Sequence, residues 1–358
     1  MHADGSIPSY PCNRLAIATR STGPTVIHIG HHSAFQHRPE EVDMHEPGPE
    51  DLTKAADRLA GVVRPLTVLR ADAATVPGAR VHLALEFLQH TGSFKARAAA
   101  NLVAALLEDG SMPAAGLVTS TGRNADLGAA WAAQRYGVPL RCYLGENAAP
   151  SMAARLRAHG ADVRIVGASQ TDAQRIAADY ITESGAVDAY THDERLTSAG
   201  AGTIGLELIE TLPDLDTVVV AVGAGGMFSG IAASVQPHGL LIVGAEPEGS
   251  QALRAALDAH EVRDVDVDSI AADSLGAPRI SAAALNWALT ANVRSAVVDD
   301  AAIVAARRHL WDRYRLVVER GSATALAVLR EGAYVPRDGE RIGVVLCGAN
   351  TDPADLRL

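Results

Sequence analysis

The chain has 358 residues, of which 48% are hydrophobic and 20% are charged, an ordinary balance for a globular protein long enough for two packed domains. Its formal net charge of −11 at pH 7 argues against nucleic acid or an anionic membrane surface as a partner. Three scattered cysteines exclude a disulfide framework and a CxxC metal site, and the lack of a signal-like or membrane-length apolar run leads us to expect a cytoplasmic location.

Residues 1–60 are rich in proline, glycine and histidine, which predicts a partly ordered N-terminal extension. The segment EEVDMHEPGPEDL (40–52) is typical of a loop or solvated linker. Among the histidines of residues 1–60, no pair lies at i, i+4 on a periodic segment, and no cysteine or acidic partner stands at ligand spacing. A metal site is therefore disfavoured. The histidines considered are His28, His31, His32, His37 and His45.

From residue 61 onward, short β-branched runs alternate with alanine-rich helical runs. Strands are predicted at residues 81–86, 116–120, 140–144, 162–166, 216–222, 240–246 and 341–348. Helices are predicted at residues 93–109, 124–136, 151–159, 171–184 and 299–314, the last with an N-cap at Asp299 and Asp300. The alternation predicts a doubly wound α/β fold with mostly parallel sheets, in which ligands bind at the carboxyl ends of strands.

The first strand-to-helix turn carries Lys95, one of only two lysines in a chain that otherwise uses arginine. The other lysine is Lys54. An amine can lose its proton when it is desolvated and then act as a nucleophile or base, which a guanidinium cannot do. Because Lys95 follows the apolar Phe94 at the start of a predicted helix, it is a candidate reactive amine, although most lysines are solvated surface residues.

A second turn, TVVVAVGAGGMFSG, leads a buried strand into a run that can point backbone N–H groups at an anion. The residues concerned are Gly223, Ala224, Gly225, Gly226 and Met227. A dinucleotide fingerprint would need a third glycine where Phe228 stands, and a P-loop lysine is missing. The turn therefore favours a single phosphate, with a purely structural turn as the alternative.

A third turn, LVTSTGRNADLG, brings together hydroxyls, unpaired N–H groups and a guanidinium, the groups that bind a carboxylate. Its residues are Ser120, Thr121, Gly122, Arg123 and Asn124. Helix capping by the hydroxyls is an alternative that is compatible with this role. A fourth turn, GVVLCGANTD, presents the thiol of Cys347 at a strand end, although a lone buried cysteine is usually inert core.

A reactive lysine, a phosphate site and a carboxylate loop are the components of a pyridoxal-phosphate enzyme that acts on an amino acid. Six motifs occur in the order found in fold-type II pyridoxal-phosphate enzymes: TGSFKAR, TSTGRNA, AGAGTIGLEL, VGAGGMFSG, GAEPEGSQAL and VVLCGANTD. Over residues 60–358 the chain resembles the threonine/serine dehydratase and serine racemase group of that family. The resemblance implies pyridoxal 5'-phosphate as cofactor, a tryptophan synthase β-like fold and a homodimer.

The same resemblance implies two domains, with the smaller inserted in the larger. The large, cofactor-binding domain would comprise residues 61–111 and 193–358, and the small mobile domain residues 112–192.

The resemblance also implies a role for each site residue. Lys95 matches the Schiff-base lysine, Phe94 would pack on the cofactor ring, and Cys347 would face the ring nitrogen. Asn124 would contact the ring hydroxyl, and the backbone of residues 223–227 would bind the phosphate. The substrate carboxylate would be bound at the loop comprising Ser120, Thr121, Gly122 and Arg123.

Four positions depart from the family pattern, and one of them is Arg320, which follows Glu319 where a proline is common. Arg123 is one residue more than the usual Ser-x-Gly-Asn loop has, so either Arg123 or Asn124 takes the asparagine role. Ala224 replaces a glycine, which is tolerable only if its backbone does not need a positive φ. Glu246 stands where some relatives bind a divalent ion, but Ala252 replaces a second carboxylate, so the pattern does not predict a complete metal site.

These residues predict an ammonia-lyase that eliminates water from a β-hydroxy amino acid of the threonine or serine type and yields a 2-keto acid and ammonia. Lys95 would be the base, and a neutral Cys347 would favour fast loss of a β leaving group over a long-lived carbanion. Racemisation, with Thr121 as the second acid, is one alternative, and β-replacement is another. Arg123 could instead indicate a second anionic group on the substrate, as in 3-hydroxyaspartate. A nicotinamide-dependent oxidoreductase and a non-catalytic cofactor-binding protein are disfavoured.

Overall fold

A computed structural model describes residues 46–189 and 195–356 of the chain. The interpretations of the histidines between residues 28 and 45, and of the extension as far as residue 45, lie outside these described residues.

Ten strands and twelve α-helices make up the described part of the chain. The strands are β1 Val68–Arg70, β2 Arg80–Ala84, β3 Leu117–Thr119, β4 Leu140–Leu144, β5 Asp162–Ile165, β6 Val187–Asp188, β7 Thr217–Ala221, β8 Leu241–Pro247, β9 Val293–Val298 and β10 Arg341–Val345. The helices are α1 Pro49–Leu59, α2 Lys95–Glu108, α3 Asn124–Tyr136, α4 Pro150–Ala158, α5 Gln170–Ser184, α6 Arg195–Thr211, α7 Gly226–Val235, α8 Ala252–Ala259, α9 Ala272–Leu275, α10 Ala282–Thr290, α11 Asp300–Tyr314 and α12 Arg320–Arg330.

The larger sheet has six strands in the order β1-β2-β10-β7-β8-β9, and only β1 runs antiparallel to its neighbour. Successive residues of β7 alternate between two apolar layers: Val219 and Ala221 belong to one, Val218 and Val220 to the other. Helices therefore cover both faces, which confirms the predicted doubly wound α/β fold.

A second sheet, entirely parallel, has the order β5-β4-β3-β6 and falls between residues 117 and 188. All seven predicted strands are present, distributed over the two sheets. Three further strands were not predicted: β1 and β6, which are only three and two residues long, and β9, whose sequence VRSAVV includes an exposed arginine. The bounds of a smaller domain at residues 112–192 stay a prediction, because strand pairing does not define where a domain begins.

The segment interpreted as a linker becomes helical at Pro49, so that interpretation is wrong from this residue onward. Proline suits the first helical position because its missing N–H would have no partner there, and acidic residues follow in the first turn. Leu52, Ala55 and Leu59 are buried at helical spacing and pack α1 on the rest of the fold. The predicted N-cap at Asp299 is confirmed, since its side chain accepts a hydrogen bond from the N–H of Ala302.

Helix α6 carries the AGAGTIGLEL motif, and its glycines explain how closely α6 approaches two other helices. A Cβ atom on Gly200 would lie 2.7 Å from the carbonyl oxygen of Arg97 in α2. One on Gly202 would lie 2.5 Å from the carbonyl oxygen of Gly230 in α7. The three helices therefore meet through their backbones. No helix within residues 46–189 and 195–356 combines the length and the apolar character needed to span a membrane.

Candidate active site

Three of the four predicted turns emerge from adjacent strands of the larger sheet. Strands β2, β10 and β7 are neighbours and run parallel, so their carboxyl ends lie side by side. The chain leaves these ends at residues 85–95, 346–350 and 222–227. The lysine turn, the cysteine turn and the glycine turn therefore share one edge of the sheet, which is the ligand-binding edge of such folds.

Lys95 is the first residue of α2, and the backbone holds it against the cysteine turn. The N–H of Phe94 donates to the carbonyl of Cys347 at 3.0 Å, and Ser93 forms a bridge with Gly348. The Nζ atom of Lys95 lies 5.0 Å from the centroid of the Phe94 ring. Desolvation lowers the pKa of Lys95 to about 8, so a substantial fraction of this amine is neutral near physiological pH.

Cys347 is buried, and burial raises the pKa of its thiol to about 12, so the group is neutral. Its Sγ atom lies 3.4 Å from the Oγ atom of Ser322. The Ser322 hydroxyl also donates to the carbonyl of Gly348 and accepts from the N–H of Gly348, each at 2.8 Å. The thiol side chain is thus fixed at the edge of the sheet beside Lys95.

The glycine turn leaves a row of backbone donors unused. Within the described part of the chain, no acceptor pairs with the N–H groups from Gly223 through Met227. Gly225 is the N-cap of α7 and has φ +100°, a conformation that favours glycine. Ala224 has no positive φ and its carbonyl accepts from the N–H of Ser281, so alanine is tolerated there. These N–H groups can bind an anion at the start of α7.

The loop that precedes α3 differs from the prediction, because a carboxylate of the protein itself already accepts hydrogen bonds from the N–H and hydroxyl groups of the loop. The Asp126 side chain accepts from the N–H and the hydroxyl of Thr121, the N–H of Gly122 and the hydroxyl of Thr119, at 2.5 to 3.0 Å. Asp126 is fully buried, and burial raises its pKa against the opposing effect of these donors. The prediction of unpaired N–H groups is therefore wrong for Thr121 and Gly122. Sequence reasoning missed Asp126, although an acidic residue at the third position of a helix is a capping signal.

The other residues of this loop are held less tightly. The carbonyl of Ser120 accepts from the side-chain amide of Gln170 at 2.6 Å, which ties the loop to the start of α5. Arg123 is exposed, and in the described part of the chain its guanidinium makes no ion pair or side-chain hydrogen bond. The backbone N–H of Arg123 donates to the hydroxyl of Thr121 at 3.1 Å.

Asn124 joins this loop to the edge of the larger sheet. Its amide nitrogen donates to both carboxylate oxygens of Glu319, at 2.8 and 3.0 Å, and its amide oxygen accepts from Asn350 at 2.7 Å. One turn further along α3, a Cβ atom on Gly128 would lie 2.6 Å from the carbonyl oxygen of Lys95. Asn124 is thus the loop residue that the structure places beside the lysine and cysteine turns.

Glu246 lies one residue before the end of β8 and is fully buried, with its carboxylate at the start of α8. Its two oxygens accept from the N–H groups of Leu253 and Arg254, at 2.6 and 2.9 Å. Burial raises the pKa of Glu246 to about 7. The carboxylate therefore anchors a helix, and in the described ranges it does not belong to a cluster of three or more groups suited to a metal ion.

A buried ion network behind α2 was not predicted. Arg97, two residues after Lys95, donates to Glu86 at 2.8 Å and also pairs with Glu207 of α6 and with Thr203. Glu86 and Arg97 are almost fully buried, and burial raises the pKa of Glu86 to about 7. The network fixes the inner side of α2 and so fixes the helix that carries the amine.

Comparison with known proteins gives a consistent result. Residues 60–348 match the family model described as pyridoxal-phosphate dependent enzyme. The chain is 34% identical over 292 residues to phenylserine dehydratase of Ralstonia pickettii, which covers 80% of this chain and 87% of that protein. Among solved structures it is similar to maize serine racemase (TM-score 0.81, 26% identity, 87% and 96% of the two chains). It is also similar to a threonine deaminase from T.th. (TM-score 0.76, 30% identity, 86% and 99%).

Proposed function

The chain belongs to the family of pyridoxal-phosphate dependent enzymes, and we propose that it is an ammonia-lyase that removes water from a β-hydroxy amino acid. The products are a 2-keto acid and ammonia. The observation that carries this proposal is the position of one desolvated amine, Lys95, at the same edge of the sheet as a buried neutral thiol and a row of N–H groups that have no acceptor among the described residues.

The residues at this edge fit pyridoxal phosphate. The N–H groups of residues 223–227 suit its phosphate, because they point at the start of α7 and have no acceptor within the described residues. The amine of Lys95 suits its aldehyde carbon, since a neutral amine is the nucleophilic form. Phe94 packs against the apolar cluster that contains Met227 and Cys347, and it would offer an apolar surface to the cofactor ring.

Pyridoxal phosphate, when bound to an amino acid, makes the α-proton of that amino acid acidic. Lys95 would remove this proton as general base, which its lowered pKa favours near neutral pH. Cys347 stays protonated because of its raised pKa, so it would supply no negative charge to the ring nitrogen of a bound cofactor. A weakly stabilised carbanion favours a reaction in which the β-hydroxyl leaves at once, which supports elimination.

Racemisation is the second candidate, since one similar structure is a serine racemase. That reaction needs an acid on the opposite face of the substrate, and Thr121 was the expected group. Its hydroxyl instead donates to the buried carboxylate of Asp126 at 2.6 Å, so its proton is already engaged within the loop. This hydrogen bond favours elimination over racemisation. β-Replacement would use the same residues and is distinguished by adding a thiol.

The substrate side chain follows from the relatives only as a set of candidates. The relative named above acts on phenylserine and the similar structure named threonine deaminase on threonine, so both are candidates. A substrate with a second carboxylate, such as 3-hydroxyaspartate, is a further candidate because Arg123 is exposed at the loop. A homodimer and a cytoplasmic location are proposed from the family resemblance and from the sequence.

Lys95→Ala is expected to lower turnover about 1,000-fold or more, because it removes both the cofactor attachment and the base. The only other lysine gives the matched control. Lys54 is exposed on α1 and pairs with Glu50, so Lys54→Ala is expected to leave turnover unchanged.

The measurement is proton NMR in D₂O with serine, threonine, phenylserine and 3-hydroxyaspartate. Keto-acid signals from the wild type and none from Lys95→Ala would support the proposal. Exchange of the α-proton without keto acid would indicate racemisation instead, and retained activity in Lys95→Ala would contradict the role of this amine.

A further inference from the structure

Glu319 places a buried carboxylate against the cysteine turn, at the sheet edge that carries Lys95. Its backbone N–H donates to the carbonyl of Gly348 at 3.0 Å, and a Cβ atom on Gly348 would lie 2.6 Å from its Oε2 atom. Gly348 follows Cys347 in that turn. It also forms a bridge with Ser93, two residues before Lys95. Only 3% of Glu319 is exposed, so its carboxylate lies inside the protein at this edge.

Both oxygens of this carboxylate face N–H groups. The side-chain nitrogen of Asn124 lies 2.8 and 3.0 Å from them, and the backbone N–H of Asn350 donates to one of them at 2.8 Å. Burial raises the pKa of Glu319, and the hydrogen bond from Asn124 opposes this effect. A buried carboxylate without donors is costly, so burial itself keeps Glu319 and Asn124 together.

This pairing fixes which way the side-chain amide of Asn124 faces. Its nitrogen points at Glu319, because a carboxylate oxygen accepts hydrogen bonds. Its oxygen accepts from the side-chain nitrogen of Asn350 at 2.7 Å, and that nitrogen also donates to the carbonyl of Thr91 at 2.7 Å. A rotated amide would place oxygen against oxygen at Glu319 and nitrogen against nitrogen at Asn350.

One N–H of Asn124 stays available to a ligand. The two oxygens of a carboxylate lie close together, whereas the two hydrogens of an amide nitrogen diverge widely, so a single shared N–H accounts for both distances to Glu319. The second N–H has no acceptor among the described residues. Asn124 lies one turn before Gly128, which packs on the carbonyl of Lys95, so this N–H belongs to the face of α3 that meets the lysine turn.

We propose that Glu319 is a positioning residue, which holds the amide of Asn124 so that its remaining N–H donates to the ring hydroxyl of the cofactor. Glu319 would touch neither the cofactor nor the substrate and would act only through Asn124. This inference rests on the proposed function for the contact between Asn124 and the ring. It gives a role to a buried carboxylate that the reaction itself does not use.

The first test measures cofactor affinity, by equilibrium dialysis of pyridoxal phosphate against the full chain freed of cofactor. Glu319→Ala removes the acceptor and is expected to weaken binding about tenfold, the loss typical of one hydrogen bond. Glu319→Gln loses the charge but keeps an oxygen that accepts from Asn124, so its affinity should stay within about threefold of the wild type. Equal weakening by both variants would show that the charge matters and not the orientation of Asn124, which overturns the proposal. Unchanged affinity in Glu319→Ala would overturn it as well.

The matched control is Glu340→Ala. Glu340 is also 3% exposed and accepts hydrogen bonds from Thr217 and Tyr334. It directly precedes β10, at the end of that strand opposite Cys347. This variant should lose stability in urea denaturation, as Glu319→Ala does, but should bind the cofactor within about threefold of the wild type. An equal loss of cofactor affinity in both alanine variants would mean that general destabilisation explains the result, and the proposal would fall.

The second test asks whether Glu319 acts through Asn124. Asn124→Ala alone should weaken cofactor binding about tenfold, and adding Glu319→Ala should weaken it by less than a further factor of about three. The visible absorption maximum of the bound cofactor responds to hydrogen bonds at its ring, so it should shift equally in the two single variants. Multiplicative losses of affinity, or a Glu319→Ala spectrum identical to that of the wild type, would overturn the proposal. If the wild type turned over no β-hydroxy amino acid, the proposed reaction would fail, while affinity and spectrum would still decide on Glu319.

Discussion

Among the helices that follow strands, α3, α7 and α8 differ in what binds their backbone donors. At α7 the N–H groups of residues 223–227 have no acceptor among the described residues. At α3 the corresponding donors bind Asp126, and at α8 they bind Glu246. The same local geometry thus leaves its donors open in one place and binds the chain's own carboxylates in the other two.

The difference shows that a strand-to-helix turn can bind an external anion only if no nearby side chain of the protein already binds its donors. Helix N-termini attract negative charge wherever they occur. Glycines and a small alanine follow β7, so no carboxylate of the turn can reach back to its donors. An aspartate at the third position of α3 is enough to give the opposite result.

The largest effect is expected when a side chain is introduced into the glycine turn before α7. In Gly225→Ala, the left-handed backbone costs about 1–2 kcal/mol, and the new Cβ would lie 2.4 Å from the Cβ of Ala284, so the turn must shift. We expect cofactor affinity to fall at least tenfold in equilibrium dialysis. Ala224→Gly is the neighbouring control and should change affinity by less than about threefold, because Ala224 has no positive φ. Unchanged affinity in Gly225→Ala would show that the turn does not bind the phosphate.

An intermediate effect is expected when the carboxylate of Asp126 is removed from the loop before α3. Asp126→Ala leaves four donors without their acceptor, two of them backbone N–H groups, and should lower the free energy of unfolding by about 3 kcal/mol. Asp126→Asn keeps an oxygen for three of these donors but cannot accept from Gly122, so about 1 kcal/mol is expected. Urea denaturation measures both. A loss below about 1 kcal/mol in the alanine variant would mean that Asp126 does not hold the loop.

The smallest effect is expected at α8 and depends on pH. Glu246→Gln keeps one acceptor oxygen and should cost about 1 kcal/mol at pH 5. Because the folded-state pKa of Glu246 is raised to about 7, the wild type loses stability as pH rises from about 4.5 through 7, whereas glutamine does not titrate. The stability of the wild type relative to the glutamine variant should therefore fall from pH 5 to pH 8 in thermal denaturation. A constant difference would contradict the raised pKa.

Much of the fold could be predicted because its strands are short β-branched runs, separated by alanine-rich helices. The turns at Lys95, Gly223–Met227 and Cys347 could be located because they follow such runs directly. β9 was missed because Arg294 and Ser295 interrupt its apolar run. α1 was missed because the segment that contains Pro49 was interpreted as a loop, whereas Pro49 is the first helical residue.

The chemistry of the site could be predicted less well, because it depends on contacts between distant residues. Arg97 meets Glu207 from 110 positions away, and Asn124 meets Glu319 from 195 positions away. Asp126 is close in sequence to the donors that it binds, but only the folded loop shows that both of its oxygens point back at them. A residue pattern lists donors and acceptors, and it does not say which of them are already paired.

The glycine contacts of α6 set a distance as well as a packing arrangement. Helix α2 begins at Lys95 and α7 begins beside Gly225, and α6 touches both through backbone atoms. Backbone atoms cannot change rotamer, so the start of α2 and the glycine turn before α7 stand at a fixed separation before any ligand arrives. The conformational entropy that a flexible site would lose on binding is lost during folding instead. The fixed separation therefore favours a ligand whose length matches it.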